Sequence, residues 1–392
     1  MTRVNPLVLD GKEVKLRLEA ERTETGVPVH VDWLRFTVQL RNAPIPSIDE
    51  LFPKPTTTSI YDRAFVQAQI RQVLTLLPDE DFAPGAQAME LGQQVCSVLG
   101  EGFEIHPELR KGHDFYKHRF SILRNGNECG WVGFLSGTNG PAKAAQDRSL
   151  HVNLYGHACT FARIGWASAM ADLIDQTKGE VTRCDIALDF FDGYSGGMDR
   201  VMGDYKAGLC DVGGRRLKST VGGDWANGRA RSFYVGTREV GKITNAYEKG
   251  HQLFGENSGH PWMRFELRYG NKARVLPSDI LRRPADFFAG ASSWHASLIA
   301  EANAEFEREV IPCRGRLALE TVNAEVTRNV NWFKRVAMPT ASRLFQNLGM
   351  EFLYFVSGDR TPGRLKHFSE DEISHALRKL YPSVEDCAPV FA

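Results

Sequence analysis

Residues 181–191 read VTRCDIALDFF and alternate between charged and apolar side chains. Because successive side chains of a strand point to opposite faces, Arg183, Asp185 and Asp189 share one face. The opposite face carries Cys184 and apolar residues. An antiparallel strand with a single buried side has this pattern. The stretch therefore predicts a strand with an apolar face toward a core and a carboxylate-bearing face away from it.

Three further segments show the same two-sided pattern: SLHVNLYG (149–156), KITNAYEK (242–249) and WMRFELRY (262–269). Their polar faces carry His151, Asn153, Asn245, Tyr247, Lys249, Arg264, Glu266 and Arg268. If these strands pair within one sheet, their polar groups are pooled in one site. The alternative is a half-solvated sheet with ordinary surface charges.

The rest of the chain surrounds these strands with helices. A strand is predicted at 29–40, helices at about 60–77 and 86–99, and a hairpin around the turn Asn125-Gly126-Asn127. Helical patterns dominate after about residue 290, and Ser369 with Glu372 forms the signature of a helix cap. We predict an α+β fold with a central, mostly antiparallel sheet and packed helices. Residues 1–27 form an N-terminal tail, 28–290 the catalytic domain and 291–392 a helical C-terminal region.

Composition sets limits on function. The 392 residues include 48 basic and 48 acidic side chains, so contact with nucleic acid requires a local basic cluster. The seven cysteines are never spaced as C-x-x-C, which disfavours a disulfide framework or a zinc knuckle. No stretch has the length and hydropathy of a membrane span. These features favour a cytoplasmic protein with no membrane partner.

The pooled groups are suited to phosphodiester transfer. A tyrosine hydroxyl with an ordinary pKa of about 10 is a poor nucleophile at neutral pH, so Tyr247 needs a polarised, aligned phosphate. Mg²⁺ or Mn²⁺ provides this polarisation and prefers oxygen ligands, which Asp185, Glu266 and either Asp189 or Asn153 would supply. Lys249 is predicted to stabilise phosphate charge or to lower the tyrosine pKa. Its alternative role is that of a solvated surface lysine.

A basic stretch between residues 215 and 249 lies among these strands. It contains eight basic and three acidic residues, interleaved with glycines and aromatic rings. Such a composition suits nucleic acid, although a charged, glycine-rich surface loop has it too. The residues predicted to bind DNA are Arg215, Arg216, Lys218, Arg229, Arg231, Arg238, Lys242 and Arg264.

Three motifs in one order, VTRCDIALDFFDG, RSFYVGTREVGKITNAYEKG and PWMRFELRYGN, resemble the replication initiation factor family of rolling-circle plasmids and filamentous phages. The resemblance covers roughly residues 28–290. It implies that Tyr247 and Lys249 form the family's Y-x-K motif with the nicking tyrosine, and that Asp185, Asp189 and Glu266 bind metal. Tyr234, in the Y-x-G-x-R strand, is the rival tyrosine.

The sequence differs from the family pattern at one position, and it lacks the motif of the initiators that bind metal through histidines. Asn245 occupies the place where plasmid members often carry an arginine, so Lys249, Arg264 or another group must take over that role. The chain lacks the His-apolar-His motif, which separates it from initiators with histidine-bound metal and leaves carboxylates as ligands.

We therefore predict a metal-dependent nicking and strand-joining endonuclease that forms a 5′-phosphotyrosine link and a free 3′-OH primer. Its partners are origin DNA with an exposed single-stranded nick site, a host polymerase and a host helicase, because no G-x-x-x-x-G-K-[ST] loop is present to bind a nucleotide. A homodimer is a further candidate assembly. The alternatives are a non-catalytic origin-binding protein or repressor, and a metal-independent tyrosine recombinase or topoisomerase.

Overall fold

The computed structural model describes residues 10–46, 64, 68, 82–139, 143–304, 306–313, 316–352, 361–363, 365–366 and 368–380. The chain divides into two compact units, Met1–Lys272 with Leu276–Cys313, and Ala273–Val275 with Arg314–Ala392. The predicted boundary at residue 290 falls inside the first unit. The helix predicted at 60–77 lies outside the described residues, apart from residues 64 and 68.

In the described part of the first unit, eleven strands form one sheet, and every pairing is antiparallel. The predicted fold class is confirmed. The strands are β1 (Val29–Gln39), β2 (Phe103–Ile105), β3 (Arg110–Lys111), β4 (Tyr116–Arg124), β5 (Asn127–Ser136), β6 (Ser149–Leu154), β7 (Glu180–Phe190), β8 (Ser219–Asp224), β9 (Arg229–Thr237), β10 (Lys242–Tyr247) and β11 (Met263–Gly270).

The strand order explains how distant motifs meet. It runs β2-β4-β5-β6-β1-β7-β11-β10-β9-β8, with β3 paired to β4. Strand β1 pairs on one side with β6 and on the other with β7, so the first strand of the chain lies at the centre of the sheet. The four strands predicted to carry polar groups lie within this one sheet, as the pooling hypothesis requires.

Helices cover the apolar face of the sheet. Phe36, Ile186 and Phe265 on that face are fully buried, and Leu91 and Ile299 from helices belong to the same core. Among the described residues of the first unit, the helices are α1 (Gly11–Thr25), α2 (Phe82–Leu99), α3 (Lys143–Asp147), α4 (Gly156–Phe161), α5 (Trp166–Gln176), α6 (Gly197–Lys206), α7 (Lys249–Phe254), α8 (Asp279–Arg282), α9 (Pro284–Ala289) and α10 (Ser293–Ala302).

The predicted N-terminal tail contains a helix that packs on the sheet unit. The Asp10 side chain accepts a hydrogen bond from the Lys12 amide at the start of α1, an N-cap that satisfies one free donor of the first turn. A small cluster then buries α1 against the ends of β7 and β11; it comprises Val14, Leu18, Phe191 and Trp262. This helix thereby reaches the edge of the polar face.

The C-terminal unit is helical, as predicted. Its described residues form α11 (Arg316–Trp332), α12 (Met338–Leu348) and α13 (Glu370–Leu380), with a π-helical turn at Phe333–Ala337. Ser369 and Glu372 form the expected capping box: the Ser369 amide donates to Glu372 Oε2 at 2.8 Å. Val322, Val326, Leu365, Ile373 and Ala376 form a separate core.

Large aromatic side chains are usually buried, so the sequence predicts core positions for the aromatic residues after position 290. Trp294 and Phe352 are buried. Trp332, Phe333 and Phe345 are instead 46–58% exposed, so for them the expectation is wrong. Phe355 lies outside the described residues. Among the described residues, no helix combines the length and apolar character needed to cross a bilayer.

Candidate active site

The polar side chains of the three motifs lie in adjacent rows on one face of the sheet. Strand β10 lies between β9 and β11, and β11 lies beside β7. Tyr247 is paired with Arg264, which is paired with Asp189. One row further on, Asn245 is paired with Glu266. The structure therefore brings the predicted nucleophile and the predicted acids onto one contiguous surface.

Arg264 lies buried at the centre of this surface. Its Nε and Nη2 donate to the two carboxylate oxygens of Asp189 at 2.8 and 2.9 Å, and its Nη1 donates to Asp32 Oδ1 at 2.6 Å. Such bidentate, charge-assisted bonds fix the geometry of both partners. Because the guanidinium is committed to these carboxylates, the prediction that Arg264 contacts DNA does not fit its position. It acts as an internal counter-charge.

Asp189 is fully engaged by protein donors. Besides the Arg264 pair, its Oδ1 accepts from the Trp262 indole at 2.6 Å. Burial opposes ionisation of Asp189, but Arg264 and then His30 outweigh burial and hold the carboxyl pKa below its ordinary value. Its oxygens are thus occupied and charged. Asp189 does not fit its predicted role as a metal ligand in this arrangement.

Asp185 is similarly occupied. Arg183 Nε donates to its Oδ1 at 2.9 Å and Arg183 Nη2 to its Oδ2, which also accepts from Arg268 Nε at 3.0 Å. The side chain is only 1% exposed. Two guanidinium groups therefore take the place that the sequence analysis assigned to a metal ion at Asp185.

Asp32 was not singled out in the sequence, yet it belongs to the site. The β1–β7 pairing shifts register between Val31 and Trp33, which marks a β-bulge at Asp32. A bulge adds a residue and redirects side chains, and here the Asp32 carboxylate meets Arg264. The available signal was a single acid within the apolar strand VHVDWLRF. Without the strand order, nothing in the sequence connected that acid with the motifs that begin at Val181.

Glu266 differs from the two aspartates because its carboxylate is only lightly paired. Arg268 Nη2 approaches its Oε1 at 3.3 Å. Burial, followed by the charges of Asp32 and Asp185, raises the pKa of Glu266 to about 7. The site therefore contains one carboxyl group that exchanges its proton near neutral pH, a property suited to a proton acceptor or to a ligand that gains a cation.

Tyr247 and Lys249 meet at the junction between a strand and a helix. Strand β10 ends at Tyr247 and α7 begins at Lys249, so the two side chains do not share a strand face as predicted. The Lys249 Nζ nevertheless lies 5.7 Å from the centroid of the Tyr247 ring. It also donates to Gln252 Oε1 at 2.9 Å, within the first turn of α7. Lys249 therefore lies close to Tyr247 because helix α7 begins at Lys249, and not because the two residues alternate on one strand.

The ionisation of both groups is shifted. Burial raises the pKa of the Tyr247 phenol well above its ordinary value; Arg264 opposes this shift, and Glu266 and Asp32 add to it. Burial and then Arg264 lower the pKa of Lys249 to about 8, against the pull of the nearby acids. At neutral pH the phenol is therefore protonated and needs a base. Lys249 carries its charge there and loses it in mildly alkaline solution.

Tyr247 lines an open cleft of about 660 Å³ at the β9–β10–β11 end of the polar face. The cleft also exposes the side chains of β9 and of helix α7. Its lining residues are Ala230, Arg231, Ser232, Tyr234, Arg238, Ile243, Asn245, Tyr247, Glu248, His251, Gln252, Gly255, Glu256, Glu266 and Arg268. Both Tyr247 and the rival Tyr234 therefore face the same volume, together with Glu266.

The predicted DNA-binding residues separate into two groups. Five are exposed, in the segment before β8, at the start of β9 or just after β9, namely Arg215, Arg216, Lys218, Arg229 and Arg238. The other three are engaged within the protein: Arg231 pairs with Glu248 at 2.8 Å, Lys242 donates to the Ala291 carbonyl at 2.9 Å, and Arg264 is buried. The exposed group retains the character of a phosphate-binding surface.

The fit of a divalent cation depends on the remaining carboxylates. Among the described residues, no group of three or more His, Cys, Asp or Glu side chains is arranged to hold a metal ion. The expected Asp185–Glu266–Asp189 cage is therefore not assembled. Mg²⁺, however, usually binds through one or two carboxylates, waters and substrate phosphates. Glu266 and Asp32, 14% and 15% exposed and mutually repelling, satisfy that lower requirement.

With this geometry established, the chain can be compared with known proteins. The family model for the replication initiation factor matches residues 179–346, a span that begins at β7 and includes β8–β11. This span contains the three motifs, so their resemblance to the replication initiation factor family is confirmed over this part of the chain.

The comparison with solved structures includes one described as a rolling circle replication initiator protein from Geobacillus stearothermophilus. It is 15% identical to this chain, with a TM-score of 0.43 over 72% of this chain and 98% of that one. No curated protein matches the chain.

Proposed function

We propose that this chain is a rolling-circle replication initiator that nicks one strand of origin DNA through Tyr247. The observation that carries the proposal is the position of Tyr247. It ends strand β10, lines an open cleft, and has Lys249 beside its ring and Glu266 on the neighbouring strand. The family match over residues 179–346 supports the replication role.

The reaction is a transesterification. The Tyr247 hydroxyl attacks the scissile phosphorus, a P–O bond forms to the phenol oxygen, and the bond from phosphorus to the 3′-oxygen breaks. The phenol proton passes to water in the open cleft that Tyr247 lines. The departing 3′-oxygen takes up a proton from water. The products are a 5′-phosphotyrosine and a free 3′-OH primer.

The two cationic side chains, Lys249 and Arg264, have different electrostatic roles. Lys249, beside the Tyr247 ring, stabilises charge on the phosphate and on the attacking oxygen. Arg264 is a positioning residue: its bonds to Asp32 and Asp189 fix the acids and its charge opposes the rise of the tyrosine pKa. Together these groups replace the arginine that plasmid members carry at the position of Asn245.

We further propose that nicking depends on Mg²⁺ or Mn²⁺ held by Glu266 and Asp32. The ion supplies Lewis-acid polarisation of the scissile phosphate when bound. The charge repulsion that raises the Glu266 pKa is relieved by a cation, so the donor set favours occupancy. Because the ester energy is retained in the phosphotyrosine, the same site rejoins the DNA strand after one round of replication, in which the host helicase unwinds the duplex and the host polymerase extends the primer.

The test is formation of a protein–DNA adduct. The protein is incubated with supercoiled DNA carrying its own replicon's origin, with Mg²⁺, with Mn²⁺ or with chelator, and covalent products are separated under denaturing conditions. We expect a metal-dependent adduct that Tyr247→Phe abolishes while duplex binding stays near normal. Tyr234→Phe is the matched control, because Tyr234 lines the same cleft on the adjacent strand, and it should retain the adduct.

Each alternative gives a different result. An adduct that survives in Tyr247→Phe and disappears in Tyr234→Phe reassigns the nucleophile. An adduct that persists in chelator indicates the metal-independent recombinase or topoisomerase class. Origin binding with no adduct under any condition indicates the non-catalytic regulator.

A further inference from the structure

The hairpin of β3 and β4 forms a second basic surface that the sequence analysis did not identify. Residues 110–119 read RKGHDFYKHR and contain one acid, Asp114. Lys111, His113 and Lys117 on it are exposed. The four basic residues are Arg110, Lys111, Lys117 and Arg119. Arg110 and Arg119 pair with Glu128 at 3.4 and 2.7 Å, so the exposed cations of the hairpin are Lys111 and Lys117. Exposed cations suit a polyanion.

An aromatic ring projects into solvent at the tip of this hairpin. Phe115 is 69% exposed, and it and Asp114 have φ values of +79° and +51°. Consecutive non-glycine residues in the left-handed region are unfavourable and persist where surrounding bonds enforce them. Here the Gly137 amide donates to the Phe115 carbonyl at 2.7 Å and the Tyr116 amide to the His113 carbonyl at 3.0 Å. The fold thus holds an apolar ring in water.

The tip is attached to the polar face of the sheet. Asp114 forms an ion pair with Arg35 of β1 at 2.8 Å. The His113 ring lies 6.0 Å from that of Trp131 on β5, measured between centroids. The hairpin tip and the polar face of β5, β6 and β1 therefore form one surface.

An aromatic and guanidinium platform continues this surface toward the site. The rings of Trp33 and Tyr155 lie 5.0 Å apart, and the Arg183 guanidinium carbon lies 4.5 Å from the Trp33 ring centroid. Both aromatic residues are half-buried. Stacking surfaces of this kind accept any base, because every base has a π-face.

Strand register links the platform to the nucleophile. Trp33 is paired with Asp185, which is paired with Arg268 of β11, the strand beside Tyr247. Three strand spacings of about 4.8 Å separate β1 from β10, and the four residues from Arg268 to Arg264, the partner of Tyr247, add about 13 Å along the strand. The platform therefore lies roughly 20 Å from Tyr247. A few nucleotides of an extended single strand span that distance.

We propose that the single strand flanking the scissile phosphate crosses the polar face from Tyr247 to the 110–119 hairpin, with bases stacked on Trp33 and Phe115. Lys111 and Lys117 face its phosphates. This path rests on the proposed function for its starting point at Tyr247. The single-stranded DNA then lies over β1 and the hairpin. This is the opposite side of the site from the exposed basic residues next to β8 and β9.

Binding of a fluorescent oligothymidylate of about 15 nucleotides tests the path. It is measured by anisotropy on the full chain carrying Tyr247→Phe, which removes covalent trapping. Phe115→Ala should weaken binding by about tenfold, and Phe115→Trp should restore it, because one stacked base is worth roughly 1–3 kcal/mol. Leu16→Ala, at an equally exposed position on α1 (68%), should leave the affinity unchanged. Affinity for a duplex of the same length should respond to neither change.

The outcomes separate this proposal from the nicking proposal. Unchanged single-strand affinity in Phe115→Ala, an equal loss on duplex, or no binding by the parent protein overturns the path. If the native chain forms a Tyr247 adduct while Phe115→Ala binds normally, the path alone fails. If no adduct forms but Phe115→Ala still weakens binding selectively, the nicking proposal fails and the single-strand surface remains.

Discussion

At the scale of single residues, the site shows how neighbouring charges assign different roles to four carboxylates that sequence alone treats alike. Asp185 and Asp189 are neutralised by arginines and almost inaccessible. Asp32 and Glu266 are partly exposed and close enough for their charges to interact. Only the second pair remains available for chemistry, because the first is committed to holding the sheet surface together.

Replacing Glu266 by glutamine tests its raised pKa through stability. The ordinary value of 4.5 describes the unfolded chain and about 7 the folded protein. A raised pKa favours the protonated folded form, so the penalty is absent below pH 4.5, develops as pH rises, and is complete above about pH 7. Glu266→Gln should stabilise the protein by roughly 1–3 kcal/mol near pH 8 and by much less near pH 4.

Urea unfolding at the two pH values measures this difference. Glu104→Gln, at an exposed position on β2, is the control for the loss of a carboxylate as such. The same substitution at Glu266 should flatten the rise of the nicking rate through about pH 7. Equal effects of Glu266→Gln at both pH values would contradict a raised pKa.

At the scale of elements, the junction of β10 and α7 places the proposed catalytic pair, Tyr247 and Lys249. The chain leaves the sheet after Tyr247 and turns into a helix at Lys249, and Gly250 makes this turn possible beside the segment that leads into β11. The Gly250 amide donates to the Trp262 carbonyl at 2.9 Å. A Cβ at this position would lie 2.5 Å from the His260 carbonyl oxygen. The glycine of the sequence Y-E-K-G is thus required by a close backbone approach.

Gly250→Ala should therefore displace the start of α7 and move Lys249 away from Tyr247. We expect adduct formation to slow by about tenfold or more, since a displacement of about 1 Å can cost 10²-fold, while the sheet still unfolds cooperatively. Gly203→Ala is the control: it lies in helix α6, nothing lies within 4 Å of its added Cβ, and it should be neutral or slightly stabilising. Single-turnover adduct assays and thermal melts of both variants provide the comparison. Equal rates in both variants would show that α7 does not position the lysine.

At the scale of the whole molecule, the proposed chemistry and the C-terminal helices belong to different units. Tyr247, Lys249, Glu266 and Asp32 all lie in the first unit. The second unit has its own core, in which Val326 is fully buried. The two cores can therefore be perturbed separately.

Val326→Asp should unfold the second unit, because an unpaired buried carboxylate is costly. We expect loss of helical circular dichroism with the rate of Tyr247 adduct formation unchanged. Val326→Ile, which keeps the residue apolar, serves as the control. A parallel loss of adduct formation in Val326→Asp alone would show that the C-terminal helices take part in DNA handling or in the reaction.

The sequence by itself determined the elements and their faces. The alternation in VTRCDIALDFF and WMRFELRY, the turn at Asn125-Gly126-Asn127 and the Ser369–Glu372 cap are local patterns, and their physical causes act over a few residues. Tyr247 as a candidate nucleophile followed from the same local pattern together with the motif order. These features persist whatever the rest of the chain does.

Only the tertiary structure decided which of the polar groups work together. The order β1-β7-β11-β10 places Asp32 against Arg264, which is 232 residues away, and a β-bulge directs it there. In the same packing, Asp185 and Asp189 form ion pairs with arginines, and Glu266 has a pKa of about 7. Lys249 lies near Tyr247 because helix α7 begins there. Charge interactions depend on separation in space, and pairing between distant strands sets that separation.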